Sequence, residues 1–173
     1  MKLKNKRIAM FLENKYEDLE FWYPCIRMKE EGAKVEIIAP EKAEYKGKHG
    51  FPAKSDKSVE DANPSGYDAL IIPGGYSPDL MRRHEKMVDF VKKMNEEKKN
   101  IAAICHAGWM LASANIIKGK KLTSFYSIKD DMINAGADWI DKEVVKDGNI
   151  ITSRNPNDLP AFCSKIIETL ASE

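Results

Sequence analysis

The sequence predicts an α/β protein, a three-layer sandwich with helices on both faces of a mostly parallel central sheet. Three observations carry this reading. Short, continuous apolar runs at Arg7 to Leu12, Val35 to Ala39, Ala69 to Ile72 and Ile101 to Ile104 have the form of strands buried on both faces. Segments of helical periodicity follow most of them. The 173 residues suffice for one core burying roughly two thirds of the unfolded surface. Residues 1–173 are therefore read as a single domain, without repeat, low-complexity tract or linker.

Arg7 to Leu12 opens the sheet. Glu13 ends the apolar run and no small-residue cleavage site follows, so the basic N-terminus reads as a first strand rather than a signal peptide. From Asp18 to Glu31, Leu19, Trp22, Tyr23 and Ile26 fall at helical spacing and Gly32 stops the helix, with a kink or late start expected at Pro24. Val35 to Ala39 is the second strand. The Lys-rich stretch from Glu41 to Ser58 reads as a surface excursion containing short strands. Ala69 to Ile72 ends at Pro73-Gly74-Gly75, after which Met87, Phe90, Val91 and Met94 mark an amphipathic helix.

Ile101 to Ile104 runs into Cys105, and His106 to Ala114 reads as helix. Ile128 to Ala135 predicts a short helix, and Glu143 to Val145 with Ile150 to Thr152 a hairpin around Asp147-Gly148. In the last helix Asn155 caps, Pro156 suits the first position, and Leu159, Phe162, Cys163, Ile166 and Leu170 form one buried stripe.

Composition narrows the function. Lys plus Arg number 28 against 27 Asp plus Glu, which supplies no global field for nucleic acid. No window approaches the roughly 18 apolar residues of a membrane span. Three widely spaced cysteines make no disulfide framework, so a cytoplasmic setting is expected. His49 and His84 lack metal-ligand spacing, and adjacent Cys105 and His106 could not readily turn toward one tetrahedral ion, so neither metal nor other cofactor is expected.

The chemistry is expected where strands end, because ligands of open parallel sheets bind beyond the carboxyl ends. A strand-to-helix corner at Ile104-Cys105-His106 is a nucleophile elbow: it presents a thiol beside free N–H groups, and its histidine can move a proton. The helix N-terminus is expected to lower the thiol pKa; the competing reading is a small buried hydrophobe. Gly74 and Gly75 allow close backbone approach, as an oxyanion site requires, or form an ordinary turn. Glu17 and Glu20 open the first helix as favourable charges, unless one is buried near the thiol, where it would keep its proton. Cys25 and Cys163 read as core.

Tyr16-Glu17-Asp18-Leu19-Glu20, Gly47-Lys48-His49-Gly50, Ile72-Pro73-Gly74-Gly75, Ile104-Cys105-His106, Ile128 through Gly136 and Thr152-Ser153-Arg154 resemble, in order and spacing, the PfpI-type intracellular proteases and protein deglycases. These are a branch of the class I glutamine amidotransferase-like superfamily. The resemblance spans about Lys6 to Leu170 and implies a flavodoxin-like fold. It implies Cys105 as nucleophile, His106 as its neighbour, Glu17 as the carboxyl bonded to the thiol, and Gly74, Gly75 and Ala107 around the oxyanion and substrate. It implies a carboxylate from a neighbouring subunit on the histidine, here Asp79 in place of the family's Glu, and hence a homodimer or ring of dimers. Two departures stand out: Ala107-Gly108-Trp109 replaces Gly-Pro after Cys-His, and Phe125, followed by Tyr126, replaces a tyrosine.

The function expected is a cysteine hydrolase acting on a glycated protein, a reactive aldehyde or a peptide: an intracellular protease, a protein deglycase or a glutathione-independent glyoxalase. A stress-response redox sensor or holdase using an oxidisable Cys105 is the alternative.

Overall fold

The structure, a computed structural model, describes residues 1–172. The first half contains β1 (Arg7–Phe11), α1 (Asp18–Glu30), β2 (Lys34–Ala39), β3 (Glu44–Lys46), β4 (Pro52–Lys54), β5 (Lys57–Ser58), β6 (Ala69–Ile72), α2 (Ser77–Met81) and α3 (Glu85–Glu96). The second contains β7 (Asn100–Ile104), α4 (Gly108–Ser113), β8 (Lys121–Leu122), α5 (Lys129–Asn134), β9 (Asp138–Trp139), β10 (Val144–Asp147), β11 (Ile150–Ser153) and α6 (Leu159–Ala171).

Seven strands form the central sheet in the order β10-β11-β7-β6-β1-β2-β5. All neighbours are parallel except the edge pair β10–β11, the hairpin read around Asp147-Gly148. Period-two alternation divides the core between the two faces. Ala9, Phe11, Leu70, Ile72, Ile101 and Ala103 pack with α3, α4 and α5 residues such as Val91, Leu111 and Met132. Ile8, Met10, Leu12, Ala69, Ile71, Ala102 and Ile104 pack with Phe21, Met28, Phe162 and Ile166 from α1 and α6. This is the flavodoxin-like three-layer arrangement expected. Strand order reverses between β1 and β6, so a crevice opens beyond their carboxyl ends.

Three local expectations need correction. Helix α1 begins at Asp18 and continues through Pro24, without a late start. Its buried face is Glu20, Phe21, Pro24, Cys25 and Met28, whereas Leu19, Tyr23 and Ile26 are exposed. Opposite faces of this helix both carry apolar residues, so periodicity alone could not select between them. Asn155 caps a 3₁₀ turn, Pro156–Asp158, through Asn157 N at 3.0 Å, and α6 starts only at Leu159. Elsewhere β8 and β9 form a small parallel pair, built of two-residue segments too short to leave a pattern. No helix among the described residues is long and apolar enough to cross a membrane.

The corrected face of α1 can be tested by urea unfolding. Phe21→Ala removes a fully buried ring and should cost about 3–5 kcal/mol, whereas Ile26→Ala should stay within about 0.5 kcal/mol. Comparable costs at the two positions would contradict the packing.

Candidate active site

Strand β7 ends at Ile104, and the chain turns immediately: Cys105 has φ of 61°, in the left-handed region that costs a non-glycine residue of order 1–3 kcal/mol. A 3₁₀ turn, Cys105–Ala107, leads into α4. This is the elbow the sequence implied. Backbone N–H groups of Gly75 and His106 donate toward the Cys105 sulfur. The Ala107 methyl is fully buried in the core on the other face, so its side chain does not line the crevice.

The carboxyl that meets the thiol belongs to Glu20 rather than Glu17. Glu20 is wholly buried, and its Oε2 accepts from Gly74 N at 2.9 Å. A Cβ on Gly74 would lie 2.5 Å from that oxygen and 2.6 Å from Cys105 Cβ, so glycine is what lets the carboxyl and the nucleophile close on one another. Gly74 N–H is thereby spent on Glu20, whereas Gly75 N–H is directed to the Cys105 sulfur. Gly75 needs glycine too: at φ of 75° its Cβ would stand 2.4 Å from Glu17 N. Burial, the largest cause, pushes the Glu20 carboxyl up to about 8, so it holds a proton at neutral pH. Its Oε1 has no full hydrogen bond among the described residues.

One helical turn separates the two carboxyls. Glu17 is buried too, and it accepts from Lys48 Nζ at 2.7 Å and lies 3.5 Å from His49 Nε2. The Gly47-Lys48-His49-Gly50 loop is pinned there by Asp18, which accepts from His49 N at 2.9 Å and Phe51 N at 3.2 Å. Ligand atoms of Glu17, Asp18 and His49 all lie within 4.8 Å of one another, a cluster that spacing along the chain did not reveal. Lys48 and the two main-chain N–H groups already occupy its carboxylates, which does not suit a cation.

Burial also pushes the Cys105 thiol up, and a charge on Glu20 would push it further, against the pull of the Gly75 and His106 N–H groups. This direction is opposite to the lowering expected from a helix N-terminus. A 3₁₀ turn and the six-residue α4 provide little dipole to offset desolvation. His106 lies beside the thiol. Its Nδ1 is 3.2 Å from Cys105 Sγ, and its pKa is lowered, first by burial and then by the Lys48 charge, so the ring is neutral at neutral pH.

Aromatic rings and a hydroxyl hold that ring. Phe125 stacks on His106 at 5.1 Å, and Trp109 meets it edge-on at 5.1 Å while donating to Asp131 Oδ2 at 2.8 Å. These are the two departures from the family pattern, now walls of the site. Ser127 Oγ lies 3.2 Å from His106 Nε2. Sequence reasoning missed both Ser127 and Lys48 as site residues, since each arrives from a loop whose path local pattern does not encode. Tyr126 is exposed and touches Phe125. Asp79 lies in the first turn of α2 and pairs with Arg83, one turn along. The remaining thiols, Cys25 and Cys163, are buried in the core, which pushes both up, Cys163 to about 12.

Comparison with known proteins agrees with this geometry. The chain matches the DJ-1/PfpI family over residues 6–169. It is 46% identical over 164 residues to Deglycase PfpI of Pyrococcus furiosus, covering 95% of this chain and 99% of that one. It is 44% identical over 160 residues to General stress protein 18 of Bacillus subtilis, covering 91% and 93%. The crystal structure of Drosophila melanogaster DJ-1beta superposes with a TM-score of 0.91 at 31% identity, covering 97% of this chain and 91% of that one. The chain belongs to the DJ-1/PfpI family.

The assignment of the buried proton to Glu20 has a consequence for stability. In the unfolded chain this carboxyl ionises near its ordinary value of about 4.3; in the folded protein it holds its proton to about 8. Across that window the native state binds the extra proton, so Glu20's contribution falls as pH rises. Urea unfolding of Glu20→Gln should show this slope lost and stability at pH 8 raised by on the order of a few kcal/mol. Glu17→Gln should retain the slope; a wild-type slope in Glu20→Gln would refute the assignment.

Proposed function

We propose that this member of the DJ-1/PfpI family is a cysteine-dependent hydrolase that removes reactive-aldehyde adducts, a deglycase and glyoxalase working through Cys105, His106 and Glu20. The observation that carries the reading is Cys105 Sγ, 3.2 Å from a neutral imidazole and packed against a protonated carboxyl. The relative named Deglycase PfpI supports it.

His106 Nδ1 takes the thiol proton as sulfur attacks a carbonyl carbon, and Glu20 stabilises the sulfur as it gains charge. An S–C bond forms, the C=O π pair moves to oxygen, and the Gly75 and His106 N–H groups lie beside it. Nε2–H then donates to Ser127. Because a hydroxyl both donates and accepts, Ser127 accommodates either tautomer as the proton crosses the ring. For methylglyoxal the net reaction is addition of one water to give lactate; for a methylglyoxal-modified amine it gives lactate and the free amine. Peptide hydrolysis is the competing use of the same groups, with the amine leaving and water cleaving the thioester. A redox sensor needs an exposed thiolate of low pKa, which a buried thiol pushed upward does not favour.

The substrate test offers purified protein methylglyoxal, a methylglyoxal-modified amine and a fluorogenic peptide. Lactate release without peptide cleavage, abolished in Cys105→Ser, is expected; peptide cleavage alone would replace the reading with a protease. A pH profile adds a second check. kcat/KM should fall below the ordinary histidine value of about 6.5, as His106 gains a proton, and again above about 8, as Glu20 loses one. Glu20→Gln should remove the alkaline limb.

Self-association into a homodimer or ring of dimers is part of the proposal, supported by exposed Leu19, Ile26 and Phe51 and measurable by light scattering. His106 is positioned from within its own chain. Ser127→Ala should lower kcat by about tenfold, with Ser127→Thr restoring most of it, while Asp79→Ala changes little. The opposite pattern, with activity recovered on mixing Cys105→Ser and Asp79→Ala subunits, would assign positioning to Asp79 of a second copy.

A further inference from the structure

Beside the nucleophile, three lysines converge on a cleft that the reaction above leaves unused. Its volume is about 590 Å³ and its walls are Asn14, Lys15, Lys46, Gly47, Lys48 and Tyr76. Three segments meet there, joined by main-chain bonds: Lys15 N to Lys46 O at 2.8 Å, Tyr76 N to Lys15 O at 2.9 Å and Lys48 N to Tyr16 O at 2.8 Å. Asn14 Oδ1 also accepts from Lys46 N at 3.0 Å. Lys15 holds φ of 62°, a left-handed conformation for which its own sequence has no preference. The backbone bonds thus hold together the three segments that carry the lysines.

Charge there is only partly neutralised. Lys48 is paired with Glu17, but among the described residues neither Lys15 nor Lys46 has a carboxylate partner; Lys15 Nζ instead lies 5.4 Å from the centre of the Tyr76 ring. Chain connectivity and charge link the cleft to the reacting atoms. Gly75, whose N–H faces Cys105, directly precedes Tyr76, and Lys48 acts electrostatically on both Cys105 and His106.

We propose that this cleft binds a phosphate monoester carried by the substrate whose carbonyl carbon is presented to Cys105. Two unpaired ammonium groups match the charge of about −1.5 to −2 on such a group at neutral pH, whereas a carboxylate would leave one of them uncompensated. Lysine serves phosphate as a point charge without demanding the planar geometry of arginine. The Tyr76 ring and the lysine stems line the remaining volume, which suits the carbon portion of a small metabolite or nucleotide. The substrate class rests on the hydrolase reading, but the binding does not.

Calorimetry on the full-length Cys105→Ala protein separates the two. The probes are inorganic phosphate, glycerol 2-phosphate and adenosine 5′-monophosphate, with glycerol, adenosine and acetate as controls. The phosphate-bearing probes should bind saturably and weaken with added salt, and binding should fall at least about tenfold in Lys15→Gln/Lys46→Gln with unchanged circular dichroism. Tighter binding of adenosine monophosphate than of glycerol 2-phosphate, reduced in Tyr76→Ala, would assign a nucleotide as the source; equal binding would assign the phosphate group alone. No saturation, acetate binding as tightly as phosphate, or an unaffected double variant would overturn the proposal. Intact phosphate binding with no turnover of any adduct by the wild-type protein would sink the hydrolase reading and leave the cleft standing.

Discussion

The close approach of Glu20, Gly74 and Cys105 is the contact on which the site depends. Three separate elements deliver it: α1 brings the carboxyl, the end of β6 brings a backbone without a side chain, and the end of β7 brings the thiol. None could shift by much without a clash or a buried, unbonded carboxyl. The parallel order β1-β6-β7 makes the convergence possible by placing these strand ends side by side. Tight packing also creates the electrostatics, because excluding water from Glu20 is what holds its proton in place. Left-handed Cys105 is sustained by the same packing, and its strain is borne by the surrounding core.

Burial here works against a simple view of nucleophile activation. A thiol at a strand-helix corner is expected to ionise readily, yet desolvation outweighs the dipole of a short helix. Reactivity then has to be produced during attack rather than stored at rest. A neutral base at 3.2 Å and a proton donor on the opposite flank fit that requirement, since they act on charge as it develops.

Much of this was legible in the sequence. The four apolar runs became central strands, and the hairpin around Asp147-Gly148 and the stripe of α6 were correctly placed, because buried strands and amphipathic helices leave strong periodic marks. The elbow was legible because Cys105-His106 follows a buried run directly. Choosing between Glu17 and Glu20 was not. Glu17 caps α1 and Glu20 lies in its first turn, both are buried, and the choice depends on which carboxyl the loop carrying Lys48 takes. The buried face of α1 was misjudged separately, since Leu19, Trp22, Tyr23 and Ile26 form an apolar stripe as convincing as the buried one.

The loop beside the helix start follows from the first two acidic residues there. Glu17 fixes Lys48, and Asp18 beside it holds the loop that carries Lys48. Burial first, and Lys48 from a distance, lower the histidine's basicity, while Glu17 pairs with Lys48. Glu17 and Glu20, three residues apart, thus acquire different partners and separate tasks. Glu20, without a cationic contact of its own, holds a proton toward sulfur; Glu17, against an ammonium, organises the entrance. A change at Phe21 or Cys25 that loosened α1 against the sheet would therefore disturb the thiol and the rim together, although neither side chain touches substrate.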